Sequence, residues 1–203
     1  MPKKRLAVMA SGKGTNLQRI IETIHNGFLN AQIAVVLSDR EDAPALKRAA
    51  VNGINYRFLN PADYSSSLDY DRALVEQWQL SEVDLVLLAG FMRIIGTEAV
   101  NAFRYRIMNI HPSLLPAFPG LDAQKQALEY GVKYSGCTVH FVDEGMDTGP
   151  IISQAVVPVF EEDSLESLSA RILAEEHRLY PEAIKMVLEE KIKIEGRKVR
   201  CVF

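Results

Sequence analysis

The sequence lacks most features that would mark a specialised class of protein. It holds two cysteines, Cys137 and Cys201, with no Cys-x-x-Cys pair and no histidine at metal spacing. That pattern fits reduced thiols in a cytoplasmic protein rather than a disulfide framework or a metal site. Long hydrophobic runs are missing too. The longest, Leu85–Met92, has eight residues, far below the roughly 20 that cross a bilayer. A basic start, Lys3-Lys4-Arg5, leads only into the short apolar run Leu6–Ala10, too little for a signal peptide. No basic block occurs: 23 Lys+Arg against 26 Asp+Glu give a net charge of −3. That argues against a main role in gripping nucleic-acid phosphates. Repeats, low-complexity tracts and linkers are absent as well.

What is present is ordinary for a globular chain. The 203 residues are 48% apolar and 24% charged, with a mean hydropathy of −0.01, enough for a substantial core. Residues 1–203 are read as one domain. Periodicity alternates strand and helix from the start. Arg5–Ala10, Gln32–Leu37, Asn55–Leu59, Leu85–Ala89 and Arg106–Ile110 read as strands. Thr15–Asn26, Ala43–Val51, Leu68–Gln79, Gly96–Phe103 and Asp122–Tyr130 read as helices between or after them. The 21 residues between Ala10 and Gln32 suffice for a helical crossover between parallel strands. After Ser135 the pattern changes: Ser135–Val142 and Ile151–Phe160 suit antiparallel pairing. A long helix follows, with Asp163 as cap, Glu166 completing a capping box and a kink at Pro181. Lys191–Glu195 and Lys198–Phe203 could close as a hairpin. The fold class implied is α/β: a doubly wound, mostly parallel open sheet with helices on both faces and antiparallel strands toward the C-terminus.

In such sheets ligands sit beyond the carboxyl ends of the strands. Ser11-Gly-Lys-Gly-Thr-Asn16 follows the first strand. Its glycines let backbone approach an anion at a helix start, yet it matches neither the Walker nor the dinucleotide fingerprint. A monophosphate cradle and an ordinary Gly-rich turn both remain open. Ala89-Gly-Phe-Met-Arg93-Ile-Ile95 follows the fourth strand, either a pocket wall or a buried continuation. The fifth strand ends Asn109-Ile-His111-Pro-Ser-Leu-Leu-Pro116. Asn109 and His111, two apart, project to one side. An amide and an imidazole there suit acyl transfer, with the ring moving a proton and the amide donating to an oxyanion. His25, His140 and His177 read as structural or solvated. The loop Asp143–Pro150 offers a carboxylate to His111; Asp143, Glu144 and Asp147 all qualify.

Taken in order, Ser11–Asn16, Ala89–Arg93, Asn109–Pro116 and Asp147-Thr-Gly-Pro150 closely resemble the folate-dependent phosphoribosylglycinamide formyltransferases. The resemblance implies formyl transfer from 10-formyltetrahydrofolate, as co-substrate, to the amine of 5-phosphoribosylglycinamide, with no metal. It implies that Gly14, Thr15 and Asn16 hold the phosphate and Glu176 the ribose hydroxyls. Met92, Arg93, Ile94 and Ile95, with Asn109, would line the folate site. Asn109 and His111 would act at the formyl carbon, and Asp147 would keep His111 charged at higher pH. Ser67 stands where some members carry a basic residue on the folate side. Small-molecule substrates, no nucleic acid or membrane partner, and a monomer or homodimer are the matching expectations. Methionyl-tRNA formyltransferases and formyltetrahydrofolate hydrolases share the Asn-x-His segment but resemble this chain with a further domain attached. A non-catalytic phosphometabolite-binding protein is the rival of another class.

Overall fold

Apolar continuity decides the strands of the N-terminal half. In the computed structural model, which describes residues 2–202, the chain divides into two compact units meeting in sequence at Met108 and Asn109. The first contains β1 (Lys4–Met9), β2 (Ala31–Ser38), β3 (Tyr56–Phe58) and β4 (Leu85–Leu88). They lie in the order β3-β2-β1-β4, all parallel. Leu6 pairs with Leu85 and Met9 with Leu88, and all four are buried. Strands covered on both faces must be apolar throughout, which is why these runs do not alternate. Helices α1 (Thr15–His25), α2 (Pro44–Val51), α3 (Ser67–Leu80) and α4 (Thr97–Ala102) cover them. Helix α1 buries Leu17, Ile20 and Ile21, one stripe at helical spacing. Trp78 and Phe103 meet edge to face at 5.1 Å.

The strand order matters more for function than the packing. The chain runs outward from β1 to β3, then returns to β4 on the other flank of β1. Loops leaving the carboxyl ends of β1 and β4 therefore diverge at a switch point, the place where open α/β sheets leave room for a ligand.

Strand β5 (Ile107–His111) spans the boundary and gives Asn109–His111 to the second unit. There the order is β5-β6-β7-β9-β8. Strands β6 (Tyr134–Phe141) and β7 (Ile151–Pro158) pair antiparallel, with a register shift between Val139 and His140. Strands β8 (Ile192–Glu195) and β9 (Lys198–Cys201) form the expected hairpin, and β9 meets β7 in parallel; Phe203 lies outside the described residues. Helices α5 (Ala123–Tyr130) and α6 (Leu165–Leu188) complete the unit. Inside it Phe141, Ile172, Tyr180 and Ile184 are fully buried. The fold class is the one expected, mostly parallel α/β with antiparallel strands toward the C-terminus. Among the described residues no helix is long and apolar enough to cross a membrane.

The long helix corrects one expectation. Its cap is Ser164, whose hydroxyl accepts from the Ser167 amide while Ser167 Oγ accepts from the Ser164 amide. The reciprocal box thus closes on serine rather than on Asp163 and Glu166. Asp163 is otherwise engaged: Arg171 grips both its oxygens at 2.7 and 2.9 Å. That grip, with Ser167 and the Phe160 amide, holds the Asp163 carboxyl well below the usual carboxylate range. The helix continues through Pro181 to Leu188.

Candidate active site

The second unit gathers three polar side chains and a backbone amide around one carboxylate. Strand β5 turns Asn109 and His111 to the same side, and the proline-rich loop after it folds back rather than leading away. Thr138 Oγ1 donates to the Ser113 carbonyl at 2.7 Å and accepts from the Leu115 amide, and Gln154 donates to the Leu115 carbonyl. So fastened, the loop brings the Phe118 carbonyl to 2.8 Å from His111 Nε2. A carbonyl only accepts, so the ring carries its hydrogen on Nε2. The other nitrogen, Nδ1, lies 3.3 Å from Asp147 Oδ2. Of the three acids left open by the sequence, Asp147 is the one at the imidazole. Asp143 instead accepts from Thr148 Oγ1 and the Gly145 amide.

Asp147 is itself held in place. It adopts φ 55°, and its Oδ2 accepts from the Gly120 amide at 2.8 Å. Its Oδ1 accepts from Asn109 Nδ2 at 3.4 Å and lies 3.6 Å from His140 Nε2. His140, read from sequence as structural or solvated, belongs to this cluster. Its Nδ1 donates to the Phe141 carbonyl, so Nε2 accepts from the Asn109 amide at 3.1 Å. Beside it the pairing with β7 skips Ile152, so the extra residue of the bulge lies on β7. A mid-strand histidine gives no hint of this clustering in sequence, because its partners come from β5 and from the Asp147 loop.

One electrostatic expectation is reversed. Asp147 does favour the charged ring, as does the Phe118 carbonyl. Burial outweighs both, with His140 adding to it, and lowers the His111 pKa below its ordinary 6.5. Burial alone would also raise Asp147, but His140, the Gly120 amide and His111 outweigh it and hold the carboxyl below 3.8. The free site therefore pairs a carboxylate with an imidazole that is neutral at pH 7. A stability consequence follows from the sign. Just below pH 6.5 the unfolded chain takes up a proton that the folded ring refuses, so stability falls with pH through that window. Denaturant titrations at pH 7 and pH 5 should show wild type losing more stability on acidification than His111→Gln. Equal losses would contradict the lowered pKa.

The first unit carries the other expected groups on its two switch-point loops. Gly14 caps α1 at φ 68°, with no side-chain hydrogen bond at that cap. Thr15 and Asn16 begin the helix, whose first amides point outward at its positive end. On the loop after β4, Met92 and Ile94 are exposed by 61% and 73%, whereas Ile95 is buried in the core. Arg93 lies over the Tyr70 ring at 5.2 Å. In the second unit Glu176 is buried on α6. Burial pushes the Cys137 thiol up to about 12, with Glu176 adding to the effect. Among the described residues no group of three or more His, Cys, Asp or Glu is placed to hold a metal ion.

A family model described as formyl transferase matches residues 4–184. The phosphoribosylglycinamide formyltransferase of Bacillus subtilis is 44% identical over 91% of this chain and 95% of its own length. The chain belongs to the formyl transferase family, among the phosphoribosylglycinamide formyltransferases. Two solved structures carry the likeness into three dimensions. Glycinamide ribonucleotide transformylase 1 from Symbiobacterium toebii is 54% identical with a TM-score of 0.97, covering 99% of this chain and 95% of that one. The phosphoribosylglycinamide formyltransferase of Bacillus halodurans is 46% identical with a TM-score of 0.90, over 92% and 96%. As a formyl transferase the chain is a formyl-transferring enzyme. The family match includes β5, the Asp147 loop and both switch-point loops.

Proposed function

We propose that this formyl transferase moves the formyl group of 10-formyltetrahydrofolate to the amine of 5-phosphoribosylglycinamide, in de novo purine biosynthesis. The observation carrying the reading is the cluster of Asn109, His111 and Asp147 at the end of β5, with His111 Nδ1 3.3 Å from Asp147. The attacking amine is the nucleophile, so the protein's task is to orient substrates, stabilise an oxyanion and relocate one proton. His111 enters neutral, and its Nε2–H exchanges the Phe118 carbonyl for the developing oxyanion. It can take the proton lost by the amine nitrogen and deliver it to the folate nitrogen that leaves. Asp147 stabilises the imidazolium formed on the way. Asn109 serves as oxyanion donor by exchanging its longer bond, 3.4 Å to Asp147, for one to substrate.

Gly14, Thr15 and Asn16 bind the phosphate through backbone amides at the start of α1, and Glu176 binds the ribose hydroxyls. Met92 and Ile94 present apolar side chains suited to a flat pterin, with Arg93 beside them and Ile95 as the buried root of that wall. Ser67, first residue of α3, leaves the folate tail without a cation there. We take residues 1–203 as one formyltransferase domain, since the family match runs across the boundary at Met108. It works in the cytoplasm on small molecules alone, without a metal, nucleic-acid or membrane partner, as a monomer or homodimer.

The reading is tested by following 10-formyltetrahydrofolate consumption with and without 5-phosphoribosylglycinamide. Consumption should require the amine substrate. Equal consumption with water alone would favour a hydrolase.

A further inference from the structure

The loop after β1 and the loop after β4 are joined by one buried hydroxyl. Ser11, 4% exposed, donates its backbone N–H to the Gly90 carbonyl at 2.9 Å. Its Oγ accepts from the Met92 amide at 2.9 Å and donates to Asp39 Oδ1 at 2.6 Å. The Asp39 bond fixes the hydroxyl rotor: with its hydrogen committed to a carboxylate, Oγ turns a lone pair to the Met92 amide. Met92 is the first residue of the folate-lining segment, and Ser11 stands three residues before Gly14.

The rest of that segment is anchored independently. Arg93 rests on Tyr70. At the far end the Gly96 amide donates to Asp71 Oδ1 at 3.3 Å, and a Cβ on Gly96 would fall 1.9 Å from Asp71 Oδ2. The segment Met92–Gly96 is thus held at its centre and its end by α3, and at its start by the hydrogen bond from the Met92 amide to Ser11. Any shift of the phosphate loop moves Ser11, and Ser11 moves Met92.

We propose that Ser11, oriented by Asp39, is a positioning residue that couples the two substrate sites, so that a phosphate seated on Gly14–Asn16 favours folate against Met92–Ile95. Neither side chain touches reacting atoms. The inference rests on the functional reading above, and the experiment separates the two.

Tetrahydrofolate, which carries no formyl group to transfer, is titrated calorimetrically with and without saturating 5-phosphoribosylglycinamide. Wild type should bind it several-fold tighter when the amine substrate is present. Ser11→Ala should abolish that tightening, raise the formyl-donor KM about tenfold and lower kcat by less than about threefold, since the part-buried Met92 amide loses its partner. Asp39→Ala, at a half-buried surface position, should do the same more weakly and decides the matter if Ser11→Ala does not fold. Asp39→Asn should restore the coupling, because its amide oxygen still accepts from Ser11; a merely structural defect would not follow that order. Wild-type coupling and donor KM in both alanine variants would overturn the proposal alone, as would binding of both ligands by wild type without coupling. Failure of wild type to bind either ligand would overturn the functional reading, and this proposal with it.

Discussion

His111→Ala is expected to lower kcat by about 10²- to 10⁴-fold, the usual contribution of a positioned acid–base group. The ring can both give and take a proton, and its Nδ1 lies 3.3 Å from the Asp147 carboxylate that would stabilise the charged form. Asp147→Asn should cost a similar factor. It preserves shape and can still bond Gly120, but it removes the charge that stabilises the imidazolium. The double variant should be little worse than the worse single one, because residues acting as a unit lose their effect once. Folding should survive. His111→Ala leaves the Phe118 carbonyl only its longer bond from Ser113 Oγ at 3.3 Å, a loss of about 1 kcal/mol, readable as a lowered denaturant midpoint. Steady-state kinetics beside that midpoint separate chemistry from stability. Activity within tenfold of wild type in the folded single variants would remove His111 and Asp147 from the mechanism.

The second large effect is expected at Gly14. A side chain there meets two obstacles. Its φ of 68° lies in the left-handed region, which costs an L-residue about 1–2 kcal/mol. Its Cβ would stand 2.8 Å from Ala45 Cβ and 2.9 Å from Ala45 Cα, in the first turn of α2, whose Ala45 amide already donates to the Gly12 carbonyl. Neither obstacle is a flexible side-chain end, so the loop itself must move. Gly14→Ala should therefore raise the KM for 5-phosphoribosylglycinamide about 10- to 100-fold, with a smaller loss in kcat, as the amides at the start of α1 lose their aim. Gly12→Ala is the natural control. Its Cβ would meet nothing within 4 Å, and its KM should change by less than about threefold. Similar values for the two variants would mean that the loop does not bind the phosphate.

Much of the architecture was legible because burial on both faces of a parallel sheet forces uninterrupted apolar runs; Leu6–Met9 and Leu85–Leu88 could be little else. The pairing of Asn109 with His111 was legible for a similar reason, since strand geometry alone puts residues two apart on one side. What lay beyond reach depended on contacts between elements and on loops. His140 joins the cluster because Asn109 on β5 and Asp147 on a turn reach its Nε2, and no periodicity reports contacts between separate elements. Asp147 could not be told from Asp143 because the choice is made by the turn, where Thr148 captures Asp143. The N-cap of α6 went to Ser164 because Arg171, eight residues along, had already claimed Asp163. The pKa of His111 was misjudged in direction because a sequence displays the nearby charge but not the burial that opposes it. The Ser11–Asp39 link joins residues 28 apart through two strand ends, and only the strand order makes them neighbours.

The central claim is that an amine, rather than water, takes the formyl group at the Asn109–His111–Asp147 cluster. Following a carbon-13 formyl label by NMR in a single turnover tests it most directly. The account predicts that the label leaves the folate and emerges as a formamide on the glycinamide nitrogen, one for one, in wild type, and that it stays on the folate in His111→Ala. Label emerging as free formate, or moving at the wild-type rate in the variant, would contradict it.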